Sequence, residues 1–312
     1  MKRRLPAEWE PQDAVLLIWP QKNMDWAYCL DDARATFSII RKTIERFQPV
    51  IIVEDLETND TWSRDIAPIT IEENEKPVLL DFTFNGWGGK FPHDLDNALS
   101  KRLHKRGTFG KTEIREIDLI LEGGSIESDG QGTLLTTAAC LLNKNRNSNL
   151  SKKQIEEKLT DLFGPSNILW LENGHLAGDD TDAHIDTLAR LAPNKTILYV
   201  SCNDPADEHY EIFQSLEKEI RQFQDYRLLP LPWPKPKFDD GRRLPATYAN
   251  YLVINGAVLV PTYNDPADAL ALETIGKAFP DREIIGIDCS VLIRQGGSLH
   301  CSTMQFPKGV MP

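Results

Sequence analysis

Cys301 has the most chemistry to offer in this sequence. It stands in Gly296-Gly297-Ser298-Leu299-His300-Cys301-Ser302-Thr303-Met304-Gln305-Phe306-Pro307, where two glycines lead into a short alternating run and a proline closes it. Glycines let backbone come close to a ligand. A lone cysteine in such a setting, with His and carboxylates elsewhere, is a candidate nucleophile. The alternative is an inert cysteine buried on a strand, the commoner fate of a free thiol.

Four other polar clusters punctuate the chain: Asn59-Asp60-Thr61-Trp62-Ser63-Arg64-Asp65, Leu121-Glu122-Gly123-Gly124, Gly178-Asp179-Asp180-Thr181-Asp182-Ala183-His184-Ile185-Asp186 and Thr247-Tyr248-Ala249-Asn250. From Asp65 to Glu122 is 57 residues, and from Glu122 to His184 is 62. A thiolate attacks carbon if its pKa falls or if a substrate's charge helps it ionise. A nearby imidazole can protonate a leaving group and then activate water. Several buried carboxylates repel one another unless a cation balances them. A planar guanidinium does so with paired hydrogen bonds. A metal on His184, Asp186 and Cys301 is the competing answer, but no second His lies at ligand spacing.

The elements that must position these groups are readable as a repeat. Five amphipathic helices are expected, at Asp31–Phe47, Asp94–Lys105, Ser151–Phe163, Asp207–Phe223 and Pro266–Phe279, from apolar residues three and four apart such as Phe213, Leu216, Ile220 and Phe223. Asp31-Asp32, Ser151 and Asp265-Pro266 are the start signals. Strand pairs joined by turns precede most helices, as in Ser125–Ser128 and Gly132–Thr137 around Asp129-Gly130, or Tyr251–Ile254 and Val258–Pro261 around Asn255-Gly256. One more strand follows each helix: Pro49–Val53, Glu113–Ile117, Asn167–Leu171, Tyr226–Leu231 and Arg282–Ile287.

The unit is therefore strand, strand, helix, strand, five times over. The first unit has a single leading strand, Val15–Trp19, and the end of the chain leaves one over, Leu299–Met304. Pairing the two would seal a ring of five αβ blades, one domain over residues 1–312, with all five polar clusters facing one axis. Asn143–Leu150 and Pro230–Leu244 are read as surface loops near the mouth of that site.

Composition bounds the reading. The formal charge is −12, which argues against nucleic acid and anionic membranes as partners and is compatible with a cationic small molecule. No apolar run approaches the ~18 residues of a membrane helix, and Glu8 and Glu10 follow the basic start where a signal peptide would turn apolar. The five cysteines are scattered with no CxxC pair, as in a reduced cytoplasmic protein without a disulfide framework. The oligomeric state is left open.

Asn59–Asp65, Leu121–Ser125, His184-Ile185-Asp186 and Gly296–Cys301 together resemble the motifs of agmatine deiminases, within the bacterial-type peptidyl-arginine deiminase family and the guanidino-group-modifying superfamily. The opening Pro6-Ala7-Glu8-Trp9-Glu10-Pro11-Gln12 is also similar to that family's start. The resemblance implies a five-bladed αβ propeller, the pentein fold, and hydrolysis of a guanidino group without a cofactor or metal.

Residue by residue, the resemblance implies Cys301 as the nucleophile and His184 as the proton carrier. It implies Glu122 as the hydrogen-bond partner that keeps His184 charged, Asp65 and Asp186 as holders of the guanidinium, and Trp62 as an apolar wall. Asp179, Asp180 and Asp182 are either loop caps or contacts to the far end of the substrate. His300 is read as supporting because strand neighbours face opposite ways. Asn250 is read as serving backbone near the site, Arg64 as a structural ion pair and Asp60 as a turn residue. Asp182-Ala183 stands where the family tends to have Asn-Gly, and Gln295–Ser298 where it has Gly-Gly-Gly-Asn. Agmatine is the leading substrate. Free arginine, a terminal peptidyl-arginine or another guanidino compound as substrate, and an amidino transfer to an amine, are the alternatives; a non-catalytic guanidino-binding propeller is a further one, against which the complete Cys, His, Asp and Glu set argues.

Overall fold

The computed structural model describes residues 2–312. Its strands fall into five sheets built to one plan, plus a small hairpin, Phe238–Asp239 with Arg242–Arg243. In each of the five, two antiparallel strands are followed by a helical crossover and a third strand that runs parallel to the second. The pattern is plain in Ile126–Ser128, Thr133–Thr137, the helix Lys152–Phe163 and Asn167–Leu171. It recurs in Ala189–Ala192, Thr196–Val200, Tyr210–Ile220 and Arg227–Leu231, and in Leu252–Ile254, Ala257–Thr262, Asp268–Gly276 and Glu283–Asp288. The unit of Ile69–Glu73, Lys76–Thr83 and Glu113–Ile120 adds an edge strand, Arg3–Arg4.

The remaining sheet joins the two ends of the chain. Gln12–Ile18 lies parallel to Val50–Val53 across the helix Leu30–Ile44, and Met304–Pro307 pairs antiparallel to its other edge, Met304 opposite Leu16. The expected pairing of the terminal strands is thus present, but the last strand starts at Met304. Leu299–Thr303 forms a turn, so Cys301 and His300 are not strand neighbours as the sequence suggested.

Local sequence explains these elements. Lys152–Phe163 buries Ile155, Leu159 and Phe163 on one side. It starts at Ser151, whose hydroxyl accepts from the Gln154 N–H while the Gln154 side chain reaches back to the Ser151 N–H, and it stops at Gly164 with φ 67°. That reciprocal cap and left-handed stop satisfy groups a helix cannot satisfy itself, at about 1 kcal/mol for the cap. The central strands Val15–Ile18, Ile197–Val200 and Val258–Val260 are wholly buried and read as continuous apolar runs, as sheets covered on both faces do. Among the described residues no helix is long and apolar enough to cross a membrane.

Candidate active site

Each polar cluster lies just ahead of the first strand of a unit: Asp65 before Ile69–Glu73, Glu122 before Ile126–Ser128, His184 and Asp186 before Ala189–Ala192, Asn250 before Leu252–Ile254, and Cys301 before Met304–Pro307. Backbone bonds lock these segments together. Arg64 N–H donates to the Cys301 carbonyl at 3.1 Å, and the Ser63 hydroxyl donates to the carbonyls of Ser302 (2.8 Å) and Leu16 (3.1 Å). Asn250 Oδ1 accepts from the backbone N–H of His300 at 2.9 Å and of Cys301 at 3.3 Å, while its Nδ2 donates to Asp186 Oδ2 at 3.2 Å.

The sequence-predicted residues converge on Gly124. A methyl group there would lie 2.6 Å from His184 Nδ1, 2.9 Å from Asp65 Oδ1 and 3.1 Å from Asp186 Oδ2, so nothing larger than glycine fits. Cys301 Sγ sits 3.9 Å from Asp186 Oδ2 and 3.4 Å from Asn250 Oδ1. Above the sulfur opens a cavity of about 170 Å³ lined by Cys301, Asp65, Trp62, Trp87 and Phe91, with Asp25, Asp60, Asp179 and Asp180 among its acids. Trp62 is buried and forms wall as expected, pressed so close by Gly297 that a methyl group there would come within 2.6 Å of the indole.

The floor of this site is short of positive charge. Asp65 accepts only neutral donors, Trp87 Nε1–H at 2.9 Å and Gly124 N–H at 3.0 Å; burial first, then the neighbouring Asp186, pushes its carboxyl well above the ordinary range. Burial, with Asp186 and Asp65 behind it, likewise pushes the Cys301 thiol up. Burial brings His184 down to about 3, against the pull of Asp186, and neither ring nitrogen has a hydrogen-bond partner. Burial would raise Asp186 too, but the hydrogen bond and charge of His300 (Nδ1 to Oδ2, 2.7 Å) hold it below the usual range. Asp186 Oδ1 is buried and unpartnered. The resting site holds a neutral thiol and a neutral imidazole on either side of the Asp65 and Asp186 carboxyls, with carboxylate oxygens left unanswered.

Two expectations need correction. Glu122 does not hydrogen-bond His184. It pairs with Arg146, Nε to its two oxygens at 2.9 and 3.1 Å, so its charge is already answered. Arg146 comes from Asn143–Leu150, which the sequence presented as a surface loop, yet its guanidinium is wholly buried and also binds Asp182 (2.7 Å) and the Thr181 carbonyl (2.9 Å). Asp182 is thereby structural, held by Arg146 and by Lys90 at 2.7 Å. Asp182 and Ala183 take φ of 66° and 65°, the left-handed conformation that Asn-Gly adopts most readily.

Asp179 is a loop cap that accepts from Thr181 and Ala183, and it also lines the cavity. Asp180 lines it with an exposed side chain. Asp60 caps Thr61 N–H at 2.7 Å, as a turn residue would, and lines the cavity as well; enclosure, then Asp25, pushes it up to about 7. Arg64 points away from the cavity, 3.8 Å from Glu8, with Nε and Nη2 lacking hydrogen-bond partners. Arg242, from the Pro230–Leu244 insertion, reaches the cavity's lining, so that insertion does border the site.

Sequence reasoning passed over Arg146, Trp87, Phe91 and Asp25. Trp87 carried a signal in Asn85-Gly86-Trp87-Gly88-Gly89, where Trp87 itself has φ 54° between glycines at 68° and 86°. A bulky residue held in that region marks an imposed conformation.

A repeating α/β frame that brings a thiol and buried acids to one cavity, with an imidazole packed against the same acids beside Gly124, defines a narrow class of protein. Residues 4–307 match the family described as Porphyromonas-type peptidyl-arginine deiminase. Agmatine deiminase of Pseudomonas aeruginosa is 30% identical over 97% of this chain and 95% of its own. A cysteine-to-serine variant of C. jejuni agmatine deiminase with substrate bound superposes with a TM-score of 0.95 at 42% identity, covering 99% of this chain and 97% of that one. The agmatine deiminase of Enterococcus faecalis superposes at 0.90 with 30% identity, covering 99% and 96%. The chain belongs to the Porphyromonas-type peptidyl-arginine deiminase family, and the deiminase class that its motifs announced is the class in which it falls.

Proposed function

We propose that this chain hydrolyses the guanidino group of agmatine to give N-carbamoylputrescine and ammonia, through a covalent intermediate on Cys301, and that its five units form a closed ring about the pocket as a single domain. One observation carries the reading: Asp65, a buried carboxyl whose one ionisable basic neighbour among the described residues is the neutral His184 ring, 3.7 Å away, shares an aromatic-walled cavity with the Cys301 thiol. A guanidinium seated on Asp65 and on the free Oδ1 of Asp186 supplies the missing charge with planar, paired hydrogen bonds.

The neutral resting pair sets the order of proton transfers. Once the cation is bound, His184 takes the Cys301 proton and the sulfur bonds to the guanidinium carbon. The imidazolium returns that proton to a terminal nitrogen, the C–N bond breaks, ammonia leaves and a cationic thiouronium remains. Water then attacks the same carbon as His184 takes its proton. Collapse expels the sulfur, which recovers a proton as the C=O bond of the ureido product forms, and the proton left on His184 departs with ammonia as ammonium. Glu122 acts through Arg146 and Asp182 to fix the His184 loop, in place of charging the imidazole.

The far end of the cavity favours agmatine over free arginine. Asp60, raised to about 7 beside Asp25, gains from a primary ammonium and would repel an α-carboxylate. Incubation with agmatine, arginine and a short arginine-terminated peptide, assayed for ammonia and ureido product, tests the proposal. Turnover of agmatine is expected to exceed the others. No ammonia from any of the three overturns the hydrolase reading, and transfer of the amidino group to an added amine would move the chain to the transferase class.

A further inference from the structure

Behind the site floor lies a second polar cluster that the reaction itself does not use. Glu8, from the irregular segment after Arg3–Arg4, is buried. Its Oε2 lies 2.7 Å from His300 Nε2 and 2.8 Å from Arg190 Nη2, and its Oε1 accepts from Val253 N–H at 2.6 Å. The other nitrogen of the same ring, His300 Nδ1, lies 2.7 Å from Asp186 Oδ2. His300 is therefore a bridge with a carboxylate at each end. Arg190 anchors the far side on Glu127 and on the carbonyls of Ala249 and Tyr251, with its guanidinium 4.5 Å over the Tyr251 ring.

Imidazole can do only a few things between two carboxylates. Each ring nitrogen faces a carboxylate oxygen to which it is placed to donate, and Arg190 Nη2, 3.1 Å from Nε2, crowds the Glu8 end of the ring. A fixed acceptor at Nε2 holds the ring plane and aims Nδ1–H at Asp186 Oδ2. That bond occupies one oxygen of Asp186 and leaves Oδ1 for a ligand, the same logic by which an outer carboxylate orients a histidine beside a functional centre.

We propose that Glu8 is a positioning residue: acting through His300, it sets the orientation and charge of the Asp186 carboxylate on which the substrate's guanidinium is seated. The proposal rests on the functional reading above and extends it to a residue nearly three hundred positions from the nucleophile. The groups that face Asp186 are His300 and Cys301 from the C-terminal turn, His184 and Asp179 from its own segment, Asp65 and Arg64 from the Ser63–Ile66 turn, and Arg190 from the following strand. Asp186 Oδ2 also accepts from Asn250 Nδ2 at 3.2 Å and lies 3.9 Å from Cys301 Sγ, but His300 makes the shortest of these contacts, 2.7 Å, and its other ring nitrogen touches Glu8, so it is the route by which a change at Glu8 reaches Asp186.

The test is the pH dependence of kcat/KM for Glu8→Gln, His300→Gln and the double variant, with thermal unfolding followed in parallel. With the link cut, Asp186 binds a proton more readily, so the acid limb moves toward neutral pH. KM at neutral pH is expected to rise about ten-fold, as for a lost charged hydrogen bond, with kcat changed less. The double variant should be no worse than His300→Gln alone. A Glu8→Gln profile that superimposes on wild type, or single effects that multiply in the double variant, overturns the proposal, even if Glu8→Gln unfolds more easily. If Glu8→Gln does not fold, His300→Gln alone decides the matter by the same acid limb.

A second readout does not need turnover. The pH dependence of agmatine binding to Cys301→Ala and to Cys301→Ala/Glu8→Gln, by calorimetry, should show the acid-side loss of affinity beginning nearer neutral pH in the double variant, because Asp186 there takes up its proton more readily. An unmoved binding profile counts against Glu8. Absence of turnover in wild type counts against the functional reading alone.

Discussion

Asp65 and Glu8 are both buried carboxylates within reach of the same few side chains, and their environments push them in opposite directions. Glu8 faces His300 and Arg190, whose charges overcome burial and hold it far below the ordinary range. Asp65 faces an indole N–H, a backbone N–H and another acid, and it is pushed far up. Desolvation is the largest influence on each; at Glu8 two cations together outweigh it, and at Asp65 no cation stands against it. A buried acid with its cation in place is architecture. A buried acid without one is a vacancy shaped for a charged visitor. The front of the wall made by Arg64-Asp65, Gly123-Gly124 and His300-Cys301 is of the second kind and its back is of the first.

The comparison is most sharply tested at the sulfur. Cys301→Ala should abolish turnover in the ammonia assay while leaving agmatine binding measurable by calorimetry; retained activity would remove the nucleophile from its place. Next in size, Asp65→Asn should lose at least about 100-fold in kcat/KM, since an unpaired buried charge costs several kcal/mol. Near-normal kinetics would assign the guanidinium to other acids.

Stability should then separate the two acids. Asp65, raised on folding, destabilises the native state above its unfolded pKa, and the penalty is relieved as pH falls through its folded value. Asp65→Asn should therefore be more stable than wild type at neutral pH, by about 1–2 kcal/mol. Glu8, lowered on folding, contributes stability that is full above the unfolded value and is lost as pH falls toward the folded one. Glu8→Gln should be less stable by about 3 kcal/mol at neutral pH, with the gap closing in acid. Denaturant unfolding at pH 7 and in acid measures both, and shifts of the same sign would undo the contrast. The smallest effect is expected at Asp60, already near half-protonated at neutral pH. Asp60→Asn should raise KM for agmatine several-fold and leave kcat nearly unchanged, which initial rates across agmatine concentration will check.

Much of this was legible in the sequence because it is written in local periodicity. Phe213, Leu216 and Ile220 face inward as their spacing required, and the Asp129-Gly130 and Asn255-Gly256 turns separate the strands they were expected to separate. The near-regular spacing of the polar clusters, 57 residues from Asp65 to Glu122 and 62 from Glu122 to His184, placed Asp65, Asp186, His184 and Cys301 at matching points of the repeat without any knowledge of tertiary contacts. What stayed hidden depends on partners remote in the chain. Arg146 looks like any polar loop residue until Glu122 is placed beside it. Glu8 looks like an ordinary acid near a chain start until His300 arrives. The alternating run around Cys301 imitates a strand, but Asn250 ties down the His300 and Cys301 amides and Ser302 bonds back to the Ser298 and Leu299 carbonyls, so the backbone turns there.

The pairing of Met304–Pro307 with Gln12–Ile18 has a consequence for how the molecule is born. A ribosome delivers the acids and the imidazole near the site well before it delivers the sulfur, and the strand that follows the sulfur pairs with Gln12–Ile18, which was made early. The proposed nucleophile is thus the last piece of the site to be made, and the seam between an early strand and a late one is what holds it in place.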